Sequence, residues 1–344
     1  MRFGIRPEGL LERIGVWLNL GPFPVAEALF GMATSRALMA AISLGFFAEL
    51  AGGGSTPEEL AARLSLDPEG VRHLLHCMVA LGHVRRSGQQ YVLTRRARRW
   101  LDPNSRAYVG ASLEFKYAQW EWWSHLEDVL RTGKGFDVYA FEPDDPRWRA
   151  YITAMFQHAR LTGPEIAQRL RLPAKPQRLL DLGGGHGWFA AEFCRRHPSL
   201  RATVLDLPDA ARVGREIIAQ NGMSERVAHV EGDILQPELG GPYDAVLCFQ
   251  TIHPLTPQQN ADLFRRIYEA LVPGGTLAVL DYFKSQTEHA ADASAFIHLN
   301  LYLTSGAPYT AGQLRDWLRA AGFAQVRRVR LWRQPLVTLF EARK

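Results

Sequence analysis

The alternation of apolar and polar positions divides the chain into two textures. Over residues 22–50, apolar side chains recur at helical spacing, with Leu38, Ala41, Ile42 and Gly45 on one face. The stretch Ala37–Leu50 predicts a single buried helix, ended by Gly52–Gly54. Thr56, Pro57 and Glu59 then form a capping-box start for a second helix. Asp67-Pro68-Glu69-Gly70 opens a third, before VRHLLHCMVALG. GHVRRSGQQYVLT predicts a hairpin that turns at Ser87-Gly88 and ends at Thr94. Three helices followed by a hairpin is the order of a winged helix.

Residues 105–160 are crowded with aromatics, among them Phe115, Tyr117, Trp120, Trp122, Trp123, Phe136, Tyr139, Phe141, Trp148, Tyr151 and Phe156. They serve as helix-packing core, as the wall of a pocket for a flat apolar ligand, or as both. RLPAKPQ reads as a linker. From Arg178 the period changes. RLLDL, ATVLDLP, VAHVEGDIL, YDAVLCFQTIH and TLAVLDYF read as strands, with helices between them. AGQLRDWLRAAGF is an amphipathic helix, and AQVRRVRL and PLVTLFEARK are two closing strands. This is an α/β fold, a Rossmann-like doubly wound sheet of seven strands behind a mainly helical winged-helix half. The expected divisions are 1–105, 106–175 and 176–344, which suits 344 residues.

Composition narrows the partners. The net charge of +5, from 40 Lys+Arg against 35 Asp+Glu, is too small by itself to indicate nucleic acid. Arg85, Arg86, Arg95, Arg96, Arg98 and Arg99 crowd the expected wing. They suit phosphates, a solvated face, or carboxylates across a dimer interface. Cys77, Cys194 and Cys248 lie far apart, so neither a zinc site nor a disulfide framework is expected, and no metal is expected. The apolar stretch Ala37–Leu50 is shorter than the ~20 residues a bilayer requires. With no targeting or membrane segment in view, a cytoplasmic protein is expected.

The chemistry concentrates in one constellation. Asp181-Leu-Gly-Gly-Gly-His-Gly187 leaves the first strand of the second half, where Gly183 and Gly185 allow a tight turn and a close ligand approach. Asp206 lies 25 residues beyond Asp181, at the end of the next strand, where a carboxylate accepts both hydroxyls of a ribose. Asp233, in Gly232-Asp233, ends the third strand and can meet an adenine amino group. A glycine-rich turn alone also suits nicotinamide and flavin proteins. Three features point elsewhere: the acid two residues before the first glycine, the Gly-Asp pair, and ALVPGGTLAVLD before the fifth strand.

Together these resemble S-adenosylmethionine (SAM)-dependent methyltransferases. More closely, the chain resembles the small-molecule O-methyltransferases typified by the plant caffeate and hydroxyindole enzymes and their bacterial relatives. The likeness runs through ALMAAISLGFFAELA, TPEELAARLSLDPEGVRHLLHCMVALG, YVLT, RTGKGF, YITAMF, LLDLGGGHG, DLP, GDI, VPGG, SGAPYT and LRAAGF. It implies SAM as cofactor and S-adenosylhomocysteine as product. It also implies a homodimer formed through the N-terminal half, and an aromatic or polyketide-like small-molecule acceptor. The cofactor contacts it implies fall on Asp181, Gly183, Gly185, Asp206, Leu207, Asp233, Ile234 and Phe249. At the last of these, plant members place a lysine. Trp120, Met155, Gln250, Asn300 and Tyr302 are the expected pocket residues; Met155 serves equally as core.

The resemblance makes His253, in LCFQTIHPL, the general base. Plant members usually follow this histidine with Asp-Trp, whereas Pro254 and Leu255 follow here. The group that orients the imidazole is therefore left open. Pro308 and Tyr309 likewise stand where Glu-Arg is common. Two alternatives stay open: the same fold with carbon or nitrogen methylation or a non-methylating reaction, and a SAM-sensing winged-helix regulator of DNA.

Overall fold

The computed structural model describes residues 9–139, 141–236, 238–284, 291–334 and 336–344. The chain forms two compact units, Met1–Trp120 and Glu121–Lys344.

The N-terminal unit contains α1 (Leu10–Trp17), α2 (Phe23–Ser43), α3 (Phe46–Ala51), α4 (Pro57–Leu64) and α5 (Pro68–Ala80). The hairpin β1 (Val84–Ser87) and β2 (Gln90–Leu93) follows, then α6 (Arg95–Trp100) and α7 (Gly110–Ser124), which crosses the boundary. The Thr56 capping box forms as expected, and Asp67 caps α5 by accepting from the Gly70 amide. Phe46, Phe47, Leu50, Leu60, Leu75 and Met78 are fully buried and build the core of this unit.

Three expectations are corrected here. The stretch Ala37–Leu50 is two helices, because Gly45 at φ +80° turns the chain where a side chain would be strained. The apolar helix is also longer than the Ala37–Leu50 stretch weighed against a bilayer: α2 begins at Phe23, within the stretch 22–50 read as helical, since prolines are tolerated in a first turn. Its 21 residues are therefore long and apolar enough, by length and composition, to cross a membrane. Val25, Leu29, Phe30 and Met32 on it are exposed, while Ala41 and Ile42 are buried. Finally, of the six arginines only Arg85 and Arg86 lie on the hairpin; the other four ride on α6, which Thr94 caps.

The second unit contains α8 (Leu126–Thr132), α9 (Pro146–Arg169), β3 (Arg178–Leu182), α10 (Trp188–Arg196), β4 (Arg201–Asp206), α11 (Pro208–Gln220) and β5 (Val227–Glu231). It continues with β6 (Tyr243–Phe249), α12 (Pro257–Ala270), β7 (Leu271–Asp281), β8 (Phe283–Lys284), α13 (Ala291–Leu303), β9 (Tyr309–Thr310), α14 (Ala311–Ala320), β10 (Ala324–Val329) and β11 (Thr338–Arg343). Seven strands form one sheet in the order β10-β11-β7-β6-β3-β4-β5. The five strands from β7 to β5 pair in parallel, and β11 is antiparallel to both of its neighbours. Alternate residues serve opposite faces. Leu179 packs with Ile166, Phe193 and Cys194, whereas Leu180 and Leu182 pack with Leu263, Phe264 and Ile267. β3 has β4 on one side and β6 on the other. The connections therefore diverge at β3, which opens a crevice at the carboxyl ends of these strands.

Candidate active site

The turn leaving β3 is shaped by its glycines. Gly183, Gly185 and Gly187 have φ of +62°, +39° and +65°. Gly184 is needed for another reason: a Cβ there would lie 2.5 Å from Cγ of Asp181. The Gly185 amide donates to Oδ2 of Asp206 at 2.7 Å, and the Leu207 amide donates to Oδ1 of the same carboxylate, also at 2.7 Å. Each oxygen keeps a further lone pair for a ligand. Burial raises the Asp206 carboxyl to about 6, and these two amides oppose the shift.

Asp181 is fully buried beneath the turn, and neither of its oxygens has a hydrogen bond of normal geometry. Burial pushes its carboxyl up to about 8; the Ala190 amide offsets part of this, and the nearby Asp206 adds to it. A buried polar group without a partner is costly, so this one calls for a ligand. Asp233 is exposed after β5 and accepts from the Leu235 amide through Oδ1 at 2.8 Å. Arg266 holds the loop that follows, donating to the carbonyls of Ile234 and Gln236. His186 accepts from the Trp188 amide through Nδ1, and burial lowers it to about 3, so it is neutral.

These groups open onto a cavity of about 430 Å³, within the range of small-molecule sites. Asp181, Gly183, Gly185, Asp206, Leu207, Asp233, Ile234 and Phe249 all line it, as do Met155 and Gln250. Of the aromatic band, Tyr139, Trp148 and Tyr151 contribute to its wall. Asp137, Thr251, Gln259 and Thr304 line it as well, and no sequence signal singled them out. Asn300 and Tyr302 are not lining residues: the Asn300 carbonyl accepts from Thr304, and Tyr302 is exposed. Trp120 belongs to the N-terminal unit, where the Arg36 guanidinium sits 5.4 Å from its ring centre.

His253 follows β6, between the lining residues Thr251 and Pro254, and is not itself a lining residue. Its Nδ1 lies 2.9 Å from Oδ1 of Asp281, the last residue of β7, which is fully buried. A carboxylate accepts, so Nδ1 carries the proton and Nε2 the lone pair. Asp281 also takes the Tyr282 amide at 2.7 Å and the Ile252 amide at 3.2 Å. The Ala307 amide donates to the His253 carbonyl at 2.8 Å. Gly306 leaves room beside the ring, since a Cβ there would come within 3.4 Å of its Cδ2. The orienting carboxylate that is missing after His253 in sequence thus arrives from the neighbouring strand. Its only sequence signal is an acid ending TLAVLD. Gln250 sits at φ +57° and donates through Nε2 to the Tyr282 hydroxyl at 2.9 Å. The Tyr282 ring meets His253 edge-on, with centroids 6.2 Å apart.

Comparison with known proteins agrees with this architecture. Residues 123–324 match the O-methyltransferase domain family, and residues 26–103 match the O-methyltransferase dimerisation domain. The chain is 32% identical over 319 residues to the tetracenomycin polyketide synthesis 8-O-methyl transferase TcmO of Streptomyces glaucescens, covering 89% of this chain and 93% of the relative. It is 29% identical over 318 residues to the 3-hydroxy-5-methyl-1-naphthoate 3-O-methyltransferase of Streptomyces sahachiroi, covering 90% and 91%. The fold matches that of human N-acetylserotonin methyltransferase, solved in complex with SAM. That match has a TM-score of 0.82 at 21% identity, covering 99% of each chain. With a family match over more than half of its length, the chain belongs to the O-methyltransferase family.

Proposed function

We propose that the protein transfers a methyl group from SAM to a hydroxyl of an aromatic or polyketide-like small molecule, releasing S-adenosylhomocysteine. The observation that carries this reading is the trio of aspartates at the carboxyl ends of β3, β4 and β5, around one cavity. The residues present fit the cofactor. Asp181 offers two unpartnered carboxylate oxygens, and Asp206 keeps free lone pairs on both of its own. A Cβ at Gly183, Gly184 or Gly185 would crowd Thr251, Asp181 or Ile152, so glycine keeps this turn close-packed at the cavity wall. Asp206 would hold the ribose hydroxyls and Asp233 the adenine amino group. Leu207, Ile234 and Phe249 would supply apolar contact, and Asp181 would face positive charge. When bound, SAM supplies a methyl carbon already activated by its sulfonium.

What remains for the chain is to place the acceptor and take its proton. His253 is the base on this reading, with Asp281 fixing the tautomer that leaves Nε2 receptive. A phenol near ~10 and an imidazole near ~6.5 differ by about 5 kcal/mol for complete prior transfer. Proton removal is therefore concerted with attack, and holding the reactants together contributes more than the base. Met155, Gln250 and the Tyr139–Trp148–Tyr151 wall provide the acceptor side. The relatives named for a naphthoate and a tetracenomycin acceptor support an aromatic substrate of secondary metabolism. The exposed apolar face of α1 and α2, with the match to a dimerisation domain, supports a homodimer. The free, exposed thiol of Cys77 suits a cytoplasmic enzyme.

Calorimetric titration with SAM and an assay against hydroxylated aromatics test the reading. Binding, with methyl transfer to oxygen lost in His253→Ala, is the expected outcome. Transfer to carbon or nitrogen, or unchanged O-methylation in His253→Ala, overturns the base assignment.

A further inference from the structure

The cofactor turn is tied at a second point, beneath the cavity. His229 lies on β5, opposite Val204 of β4, and does not line the cavity. Its Nε2 is 2.9 Å from the carbonyl oxygen of Gly185. The amide of that same residue donates to Asp206 at 2.7 Å. Gly185 is therefore anchored through both of its backbone polar groups, from β5 and from β4. The ring is closely enclosed. A Cβ on Gly187 would lie 3.0 Å from its Cε1, and one on Gly214 of α11 would lie 2.3 Å from its Nε2. The same Gly214 Cβ would lie 2.1 Å from the Gly185 oxygen.

The other ring nitrogen, Nδ1, is buried without a partner. A leucine would remove the orphaned Nδ1 but would leave the Gly185 carbonyl unpaired, so what the imidazole supplies here is the Nε2 donor rather than bulk. We propose that His229 is a positioning residue, whose Nε2–H fixes the Gly185 peptide in the conformation that receives the cofactor. This rests on the cofactor reading given above. Because a carbonyl can only accept, Nε2 carries the proton. Burial keeps the imidazole well below its ordinary value, at about 4, with Arg215 adding to the shift and the Gly185 bond opposing it. The tie therefore persists through the neutral pH range.

Two measurements on the full-length protein test this. The first records imidazole nitrogen–proton correlations without ligand at pH 7. The expected result is a neutral His229 protonated on Nε2. A neutral ring protonated on Nδ1 alone, with no proton on Nε2, overturns the proposal whatever the cofactor turns out to be. The second compares SAM affinity and steady-state kinetics among variants. His229→Leu is expected to raise the Kd for SAM about tenfold, as loss of one buried hydrogen bond does. The KM for the acceptor should stay unchanged. His229→Gln, which retains an N–H donor, should remain within about threefold of the parent.

Native affinity in the leucine variant, or a glutamine variant no better than leucine, overturns the proposal. Gly214→Ala crowds both partners of the tie, the Gly185 carbonyl at 2.1 Å and His229 Nε2 at 2.3 Å, and so breaks the same contact from α11. It carries the test should His229→Leu fail to fold, and native affinity in it is equally fatal. A parent protein that binds no SAM removes the cofactor reading but leaves the nitrogen spectrum to decide the tie.

Discussion

Asp281 Oδ1 stands 2.9 Å from His253 Nδ1, although the two residues are 28 positions apart. β6 and β7 are neighbouring parallel strands, so their carboxyl ends deliver both groups to one edge of the sheet. Asp281→Asn keeps the shape of the pair but can present an amide N–H to Nδ1, favouring the other tautomer. A fall in kcat of about 10²- to 10⁴-fold is expected, by analogy with the acid of a serine-protease triad. The Kd for SAM should stay near its parent value. The Ile252 and Tyr282 amides lose a charged acceptor too, so stability should drop by about 1–3 kcal/mol, read as a lower Tm.

Asp181 and Asp206 set the pH response of the ligand-free protein. Their folded-state carboxyls titrate near 8 and near 6, both above the ordinary unfolded value near ~4. Between the unfolded and folded values the native state binds more protons than the unfolded chain, so stability falls as pH rises. The depressed imidazoles of His186 and His229 act in the opposite sense below their ordinary value near ~6.5, so the decline in Tm is expected above it, toward pH 8. A cation placed against Asp181 reverses the preference, so SAM should raise Tm more at pH 8 than at pH 6. Asp181→Asn should flatten the upper part of the profile. A ligand-free Tm that climbs from about pH 6.5 to pH 8 contradicts this account.

Gly184→Ala puts a methyl group 2.5 Å from Cγ of the buried Asp181, so the turn or the carboxyl must move. Overpacking of this kind costs about 1–3 kcal/mol. The turn should shift rather than unfold, so SAM affinity should fall by at least tenfold while far-ultraviolet dichroism stays native. Titration calorimetry and a far-ultraviolet dichroism spectrum of the purified variant check the two statements.

The apolar face of α2 offers a test of assembly. Leu29 is 52% exposed and Phe30 is 65% exposed, far more than a chain that stays monomeric in water tolerates for a run of such residues. Leu29→Asp combined with Phe30→Asp should convert the dimer to a monomer in analytical ultracentrifugation. An unaltered sedimentation coefficient would mean that subunits meet elsewhere.

Much of this architecture was legible in the sequence, and the exceptions have physical causes. Short continuous apolar runs located the strands because side chains in a parallel sheet buried on both sides must serve two faces. Asp181, Asp206 and Asp233 were legible because each ends, or nearly ends, a strand whose position the pattern sets. Asp281 ends a strand too, yet its role depends on which strand lies beside β6, and pairing of distant strands leaves no local trace. The break at Gly45 was hidden because an apolar run looks the same whether one helix or two bury it. Asn300 and Tyr302 sit on a helix whose rotation sequence spacing does not fix.

β11 lies between β10 and β7, antiparallel to both. The ribosome delivers β7 well before residues 338–343 exist, so one flank of the growing sheet offers unsatisfied amides and carbonyls until that late strand slots in. An uncovered edge of this kind is an invitation to pair with another nascent chain. The sheet therefore has a period of vulnerability during synthesis, and slower translation through the segment joining β7 to β11 would lengthen it.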